Sequence, residues 1–315
     1  MGLHIGQATA ITLKTMPYLF LRLVVYGLFG IATVIYFVVV YFVAGWVAPL
    51  HEYAEPGVWI LALLAPTPIV SFIREYILYT VKAGHVAVIA ELATKGKLPE
   101  GKGQIAWGKD QVVRTFKSTS VLFLVDRLVH GVISAINNGI TKIGDVASGI
   151  PGVRGLMQFI NLILYFSLTY VDEAIMARNF LNPQESAWQS SKIGLMLYAQ
   201  IWKNILWSSV FLAFIALTIY AGLAIVFLVP ALGLAVAFPS MDLVFIIGAL
   251  VCAFVVKFAL FDPWTMSMMV VMYLKEIEGK APNKEWEEKL EKLSGKFKQI
   301  KEKAVEKLSG APTPA

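Results

Sequence analysis

Cysteine is nearly absent from this chain: Cys252 stands alone, inside an apolar run, so no intrachain disulfide can form. Histidine is scarce too, and His4, His51, His85 and His130 are scattered singly. No two share a helical spacing that would make a ligand pair, which argues against a metal site. Charge is also short, at 15% of the 315 residues against about a quarter in ordinary soluble domains. The phosphate-cradling loop, the dinucleotide fingerprint, the H-E-x-x-H zinc helix and the G-x-S-x-G elbow are all missing. Enzymes of those classes are thereby excluded, and no cofactor is expected.

What the chain has instead is apolar sequence in long blocks. Hydrophobic residues make up 57%, and the mean hydropathy is +0.68. Residues 23–50 carry no charge over 28 positions, more than a ~30 Å hydrocarbon core requires at ~1.5 Å per helical residue. The run is too long for a cleavable signal, so it is expected to stay as a span. Residues 57–73, 205–229 and 243–260 are further spanning candidates. Residues 155–171 and 119–136 are marginal, the first for its length and for Gln158 and Asn161, the second for Asp126, Arg127 and His130.

Loop charge decides among arrangements. The turns 51–56 and 231–242 hold no lysine or arginine, whereas 74–118, 172–204 and 276–310 hold many. Four crossings, with 119–171 staying on or dipping in from one side, place every basic segment inside. The pattern therefore predicts an all-α, polytopic integral membrane protein of helical hairpins with amphipathic interfacial helices. It lies in a plasma or inner membrane with both termini cytoplasmic. The net charge of +6 then fits anionic lipid headgroups rather than nucleic acid. Trp46, Tyr53 and Trp59 bracket the first outer turn, and Trp202, Trp207 and Trp264 the inner ends of the second hairpin, at levels tryptophan favours.

Four segments follow: a first hairpin and exit helix (1–104), a middle hairpin (105–184), a second full hairpin (185–278) and a cytoplasmic helix with a disordered tail (279–315). A proline turn runs into a tryptophan three times, in GKLPEGKGQIAW (96–107), NPQESAW (182–188) and GKAPNKEW (279–286). This weak repeat fits a hairpin, exit helix, proline turn unit, and it also fits chance. The middle hairpin has a polar, glycine-rich tip from Asn137-Asn138-Gly139 to Gly152, which at membrane depth must be buried or face water. It either half-penetrates or lies along the surface. In the tail, Asn283 can cap a helix whose Trp286, Leu290, Leu293, Phe297 and Ile300 form one apolar stripe. Residues 286–308 could lie on lipid, pack on the protein itself, or dock a cytoplasmic partner or second subunit.

Candidate pathway residues follow from charge inside apolar sequence. Lys257 sits within FIIGALVCAFVVKFALF, and Asp262 can partner it if the helix is bent near Pro263. The pair is either a polar gate or a lysine reaching for the inner headgroups. Asp172 and Glu173 close the block 155–171, with Arg178 downstream, as Arg74 and Glu75 do after the second span. They either handle a cation or proton or form the wet end of a helix. Asn137 and Asn138 complete the set. Pro66 and Pro68 mark either an unwound segment or a helix restart.

The stretches SAWQSSKIGLMLYAQIWKNIL (186–206), KFALFDPWTMSMMVVMYLKEIE (257–278) and YVDEAIMARNF (170–180) resemble the C-terminal half of choline transporter-like proteins. The likeness covers about a third of the chain, which is half that family's usual length and lacks its large extracellular loop. It implies a permease or channel for a small polar or cationic solute, assembled as a homo-oligomer because so few helices barely enclose a pathway. The alternative is a non-transporting membrane scaffold that organises lipid or docks a partner; a lipid-processing enzyme is a distant third.

Overall fold

The computed structural model describes residues 4–64, 77–145 and 170–309. Pro66, Pro68, Arg74, Glu75, the block 155–169 and the final APTPA lie outside the described residues. Within them the chain is helical and has no strand. In chain order the helices are α1 (Ile5–Lys14), α2 (Met16–Val47), α3 (Ala54–Leu64), α4 (Tyr79–Lys95), α5 (Gln104–Phe116) and α6 (Thr119–Asp145). Then come α7 (Val171–Leu181), α8 (Ala187–Ala237), α9 (Asp242–Val256), α10 (Asp262–Ile277), α11 (Lys284–Leu293) and α12 (Gly295–Ser309).

Among the described residues three stretches are long and apolar enough to cross a membrane: Met16–Leu50, Ala187–Ala237 and Pro239–Ile277. The first and third contain the blocks 23–50 and 243–260. The second is longer than the block 205–229 that it contains. Its 51 residues extend ~76 Å, so part of α8 must leave any bilayer. Pro230 does not end it, because the following ALGLAVA is rich in strong helix formers and the lost hydrogen bond is a local defect. The turn expected over 231–242 therefore shrinks to Phe238 and the short helical turn Pro239–Met241. Of the block 57–73, only Ala54–Leu64 is described, as a shorter apolar helix.

The chain divides into two compact units. The apolar unit comprises residues 17–81 and 216–263. Its surface carries exposed Leu28, Ile31, Ile35, Phe42, Ile225, Val226 and Val229, the inverse of a soluble protein's pattern. Inside it, Gly30 lets α2 approach α9 so closely that an added Cβ would stand 2.8 Å from a Val255 methyl. The Tyr36 hydroxyl donates to the Ala62 carbonyl at 2.9 Å, and Phe37 stacks on Trp59, closing the α2–α3 hairpin.

The polar unit comprises residues 1–16, 82–215 and 264–315. Residues 83–92 of α4 and 171–180 of α7 are buried all round, as befits central helices. The Tyr273 hydroxyl donates to the Gly194 carbonyl at 3.0 Å where α10 and α8 meet. Each of the three proline turns connects two helices and delivers its tryptophan (Trp107, Trp188, Trp286) to the first turn of the next. Gly96 and Gly279, at φ +72° and +71°, stop α4 and α10 in the left-handed conformation that glycine reaches without strain.

Two sequence expectations need correction. The tip expected from Asn137 onward is helical through Asp145, since α6 runs unbroken from Thr119. α6 is instead set off from α5 by a 76° break at Lys117, whose φ is +59°. The tail is two helices, split at Ser294, which leaves Leu293 46% exposed while Leu290, Phe297, Ile300 and Ala304 are buried. Asn283 does cap α11, its side chain accepting from the Glu285 N–H at 2.8 Å. The α12 stripe packs on α6, so the protein's own polar unit covers that face.

Candidate functional site

The first turn of α7 carries Asp172 and Glu173, where the unpaired N–H groups of a helix N-terminus favour negative charge. Both are nearly enclosed. The Glu173 N–H donates to Asp172 Oδ1 at 2.9 Å. Glu173 is ion-paired to Lys82 of α4, and Asp172 Oδ2 lies 3.6 Å from Nδ1 of His130 on α6. Three helices thus converge on one carboxylate pair.

The electrostatics follow from that convergence. Burial pulls the Lys82 ammonium down, but Glu173, Asp172 and Asp126 outweigh it, so Lys82 holds its proton well above the usual lysine range. The contact with Asp172 raises His130 above the ordinary imidazole value against the pull of burial; Asp126 adds to the rise and Lys296 opposes it. Lys296 belongs to α12 and lies across Gly131, so the tail reaches the edge of this cluster.

A second set of polar contacts lies one helical turn further on. Arg178 grips Glu185 through both terminal nitrogens, at 2.7 and 3.2 Å, and also donates to the carbonyl and hydroxyl of Ser190. Asn179 donates to Ser191 at 2.8 Å. Together they fix the α7–α8 turn, a structural rather than chemical task. Elsewhere in the unit, the His85 ring meets Thr15 at 2.9 Å, and Thr12 donates to Ser267 at 3.0 Å.

Lys257 and Asp262 lie in the apolar unit and pair at 2.8 Å. The chain between them, Lys257–Phe261, is a π turn in which the Asp262 N–H reaches the Lys257 carbonyl. Pro263 supplies the cause. Its ring crowds the carbonyl four residues back and it has no N–H to offer, so a widened turn relieves both problems. Lys257 Nζ also sits 4.1 Å from the centre of the Phe258 ring.

Of the sequence candidates, Asp172 and Glu173 are therefore brought together, Lys257 and Asp262 are brought together, and the two pairs belong to different units. Asn138 is exposed on α6; the Asn137 side chain lies outside the described residues. Sequence reasoning missed Lys82 as the partner of Glu173, because no spacing rule joins residues so far apart. His130 carried a usable signal, since Asp126, Arg127 and His130 made a lipid-facing α6 costly. Among the described residues no three His, Cys, Asp or Glu side chains are grouped to hold a metal ion. No protein family, curated protein or solved structure matches the chain.

Proposed function

We propose that this chain is a non-transporting membrane scaffold: the apolar unit anchors it in lipid, and the polar unit is the part that engages a cytoplasmic partner or organises lipid. One observation carries the reading. A solute pathway calls for charged residues free to meet the solute, whereas here each candidate charge is matched where it stands, Lys257 by Asp262, Asp172 by His130 and Glu173 by Lys82. Charges neutralised locally are poor guides for a moving ion. The basic segments 74–118, 172–204 and 276–310 then face the cytoplasm, with both termini, against anionic headgroups.

The second reading is a homo-oligomeric permease for a small polar or cationic solute, as the choline transporter-like stretches imply. The Asp172–His130 contact favours it, because a buried carboxylate beside a titratable imidazole is the arrangement of a proton relay. Reconstitution in liposomes separates the two. The scaffold gives no flux of potassium, sodium, protons or choline above protein-free vesicles. Flux that Lys257→Met or Glu173→Gln abolishes would establish the permease.

A further inference from the structure

Arg22 is charged, 2% exposed, and forms no ion pair with any described residue. It stands in α2 immediately before the charge-free run 23–50. Its Nη2 donates at 2.8 Å to the carbonyl of Phe258, in the π turn. Its guanidinium carbon lies 5.6 Å from the centre of the Tyr26 ring, and that ring stacks on Phe258 with centroids 5.9 Å apart. Nε and Nη1 are buried and have no hydrogen-bond partner among the described residues. Lys257 Nζ also lies against the Phe258 ring, 4.1 Å from its centre, and is matched by Asp262. Among the described residues the cluster thus holds two cations and one carboxylate, all within the apolar unit.

A buried cation with unsatisfied donors is costly, so such a group calls for an anion to complete it. Guanidinium suits phosphate in particular, because several N–H groups in a rigid plane match several oxygens. Depth decides the source. Arg22 marks the boundary between charge-bearing sequence and a span-length apolar run, which is where phospholipid phosphates lie. Tyr26 and Phe258 are half-buried, the Tyr26 ring lies against the guanidinium, and Leu23 and Val24 beside them are exposed.

We propose that Arg22, framed by Tyr26, Phe258 and Lys257, is a binding site for the phosphate of a membrane phospholipid. The site stands under either functional reading, since it uses neither a solute pathway nor the polar unit.

Native mass spectrometry of the delipidated full chain in mild detergent tests it, with phosphatidylglycerol, phosphatidylcholine and phosphate-free diacylglycerol as probes and inorganic phosphate in a parallel thermal-unfolding series. Both phospholipids should bind, phosphatidylglycerol the more tightly, and diacylglycerol should not. Arg22→Gln should lower phospholipid retention at least tenfold, Arg22→Lys and Tyr26→Leu several-fold, and Leu23→Ala should leave it unchanged. If Arg22→Gln does not fold, Arg22→Lys and Tyr26→Leu decide. Wild-type retention in the Arg22 variants, or equal binding of diacylglycerol, would overturn the site. Stabilisation by inorganic phosphate as great as by phosphatidylglycerol would overturn the lipid as its source.

Discussion

Lys257 and Asp262 are five residues apart in sequence and 2.8 Å apart in space, because the π turn between them places residues i and i+5 one above the other. In an ordinary α-helix they would diverge by more than a third of a turn. The pair therefore depends on Pro263, and the π turn depends on both. With its side chains 15% and 11% exposed, the pair should respond to single substitution as a buried one does. Lys257→Met or Asp262→Asn alone is expected to cost about 3–5 kcal/mol, the double variant much less than the sum. Unfolding in detergent by heat or denaturant, arranged as a double-mutant cycle, measures it.

Gly30 and Gly131 make opposite predictions for the same change. At Gly30 an added methyl meets the branched Val255 side chain, so Gly30→Ala should destabilise by about 1–3 kcal/mol through overpacking. At Gly131 it meets only the flexible end of Lys296, which can swing away. Gly131→Ala should be neutral or slightly stabilising, because alanine is the better helix former. The thermal midpoints of the two variants check the contrast.

His130 gives a pH signature. Its value in the folded chain is raised, so the contribution of its charged form is fully present below the unfolded imidazole value near 6.5 and is lost as pH rises through the folded value. Thermal midpoints measured from pH 5 to pH 9 should therefore carry a downward component that sets in above the unfolded value of about 6.5, and His130→Gln removes it. An unchanged profile in that variant would count against the Asp172 contact.

Which features the sequence disclosed depended on whether a local rule governed them. The apolar runs 23–50, 205–229 and 243–260, the Asn283 cap, the proline turns and the Lys257–Asp262 pair follow from composition or short spacing, and these are present. The partner of Glu173 was not legible, since Lys82 reaches it only through tertiary packing. Asn137 and Asn138 read as a turn, yet α6 absorbs them: turn propensity in Asn-Asn-Gly is weaker than the packing of Leu122, Val125, Val129, Val132, Ile133 and Ile136 along one face. Leu293 belonged to the tail stripe only while the tail was one helix. It closes α11 just before the break at Ser294 and is left exposed, while Phe297, Ile300 and Ala304 of α12 are buried.

The tail offers a stability test of its own. Phe297 and Ile300 are fully enclosed. Phe297→Ala is expected to cost roughly 3–5 kcal/mol and to expose residues 284–309 to protease, whereas Leu293→Ala should stay within about 0.5 kcal/mol of wild type. Equal protease sensitivity in the two variants would place the α12 stripe somewhere other than against α6.

The claim on which the rest depends is that the apolar hairpins cross the bilayer and return, leaving the lysine-free turn at Pro239–Met241 on the side opposite the basic segments. Ser240 in that turn is exposed, and Cys252 can be replaced by serine to clear the background. Ser240→Cys in oriented vesicles should react with a membrane-impermeant maleimide added to the outside, while a cysteine at Glu100 should react only once the cytoplasmic face is opened. Labelling of position 240 from the cytoplasmic face alone would contradict the arrangement, and with it the assignment of the apolar unit to the membrane interior.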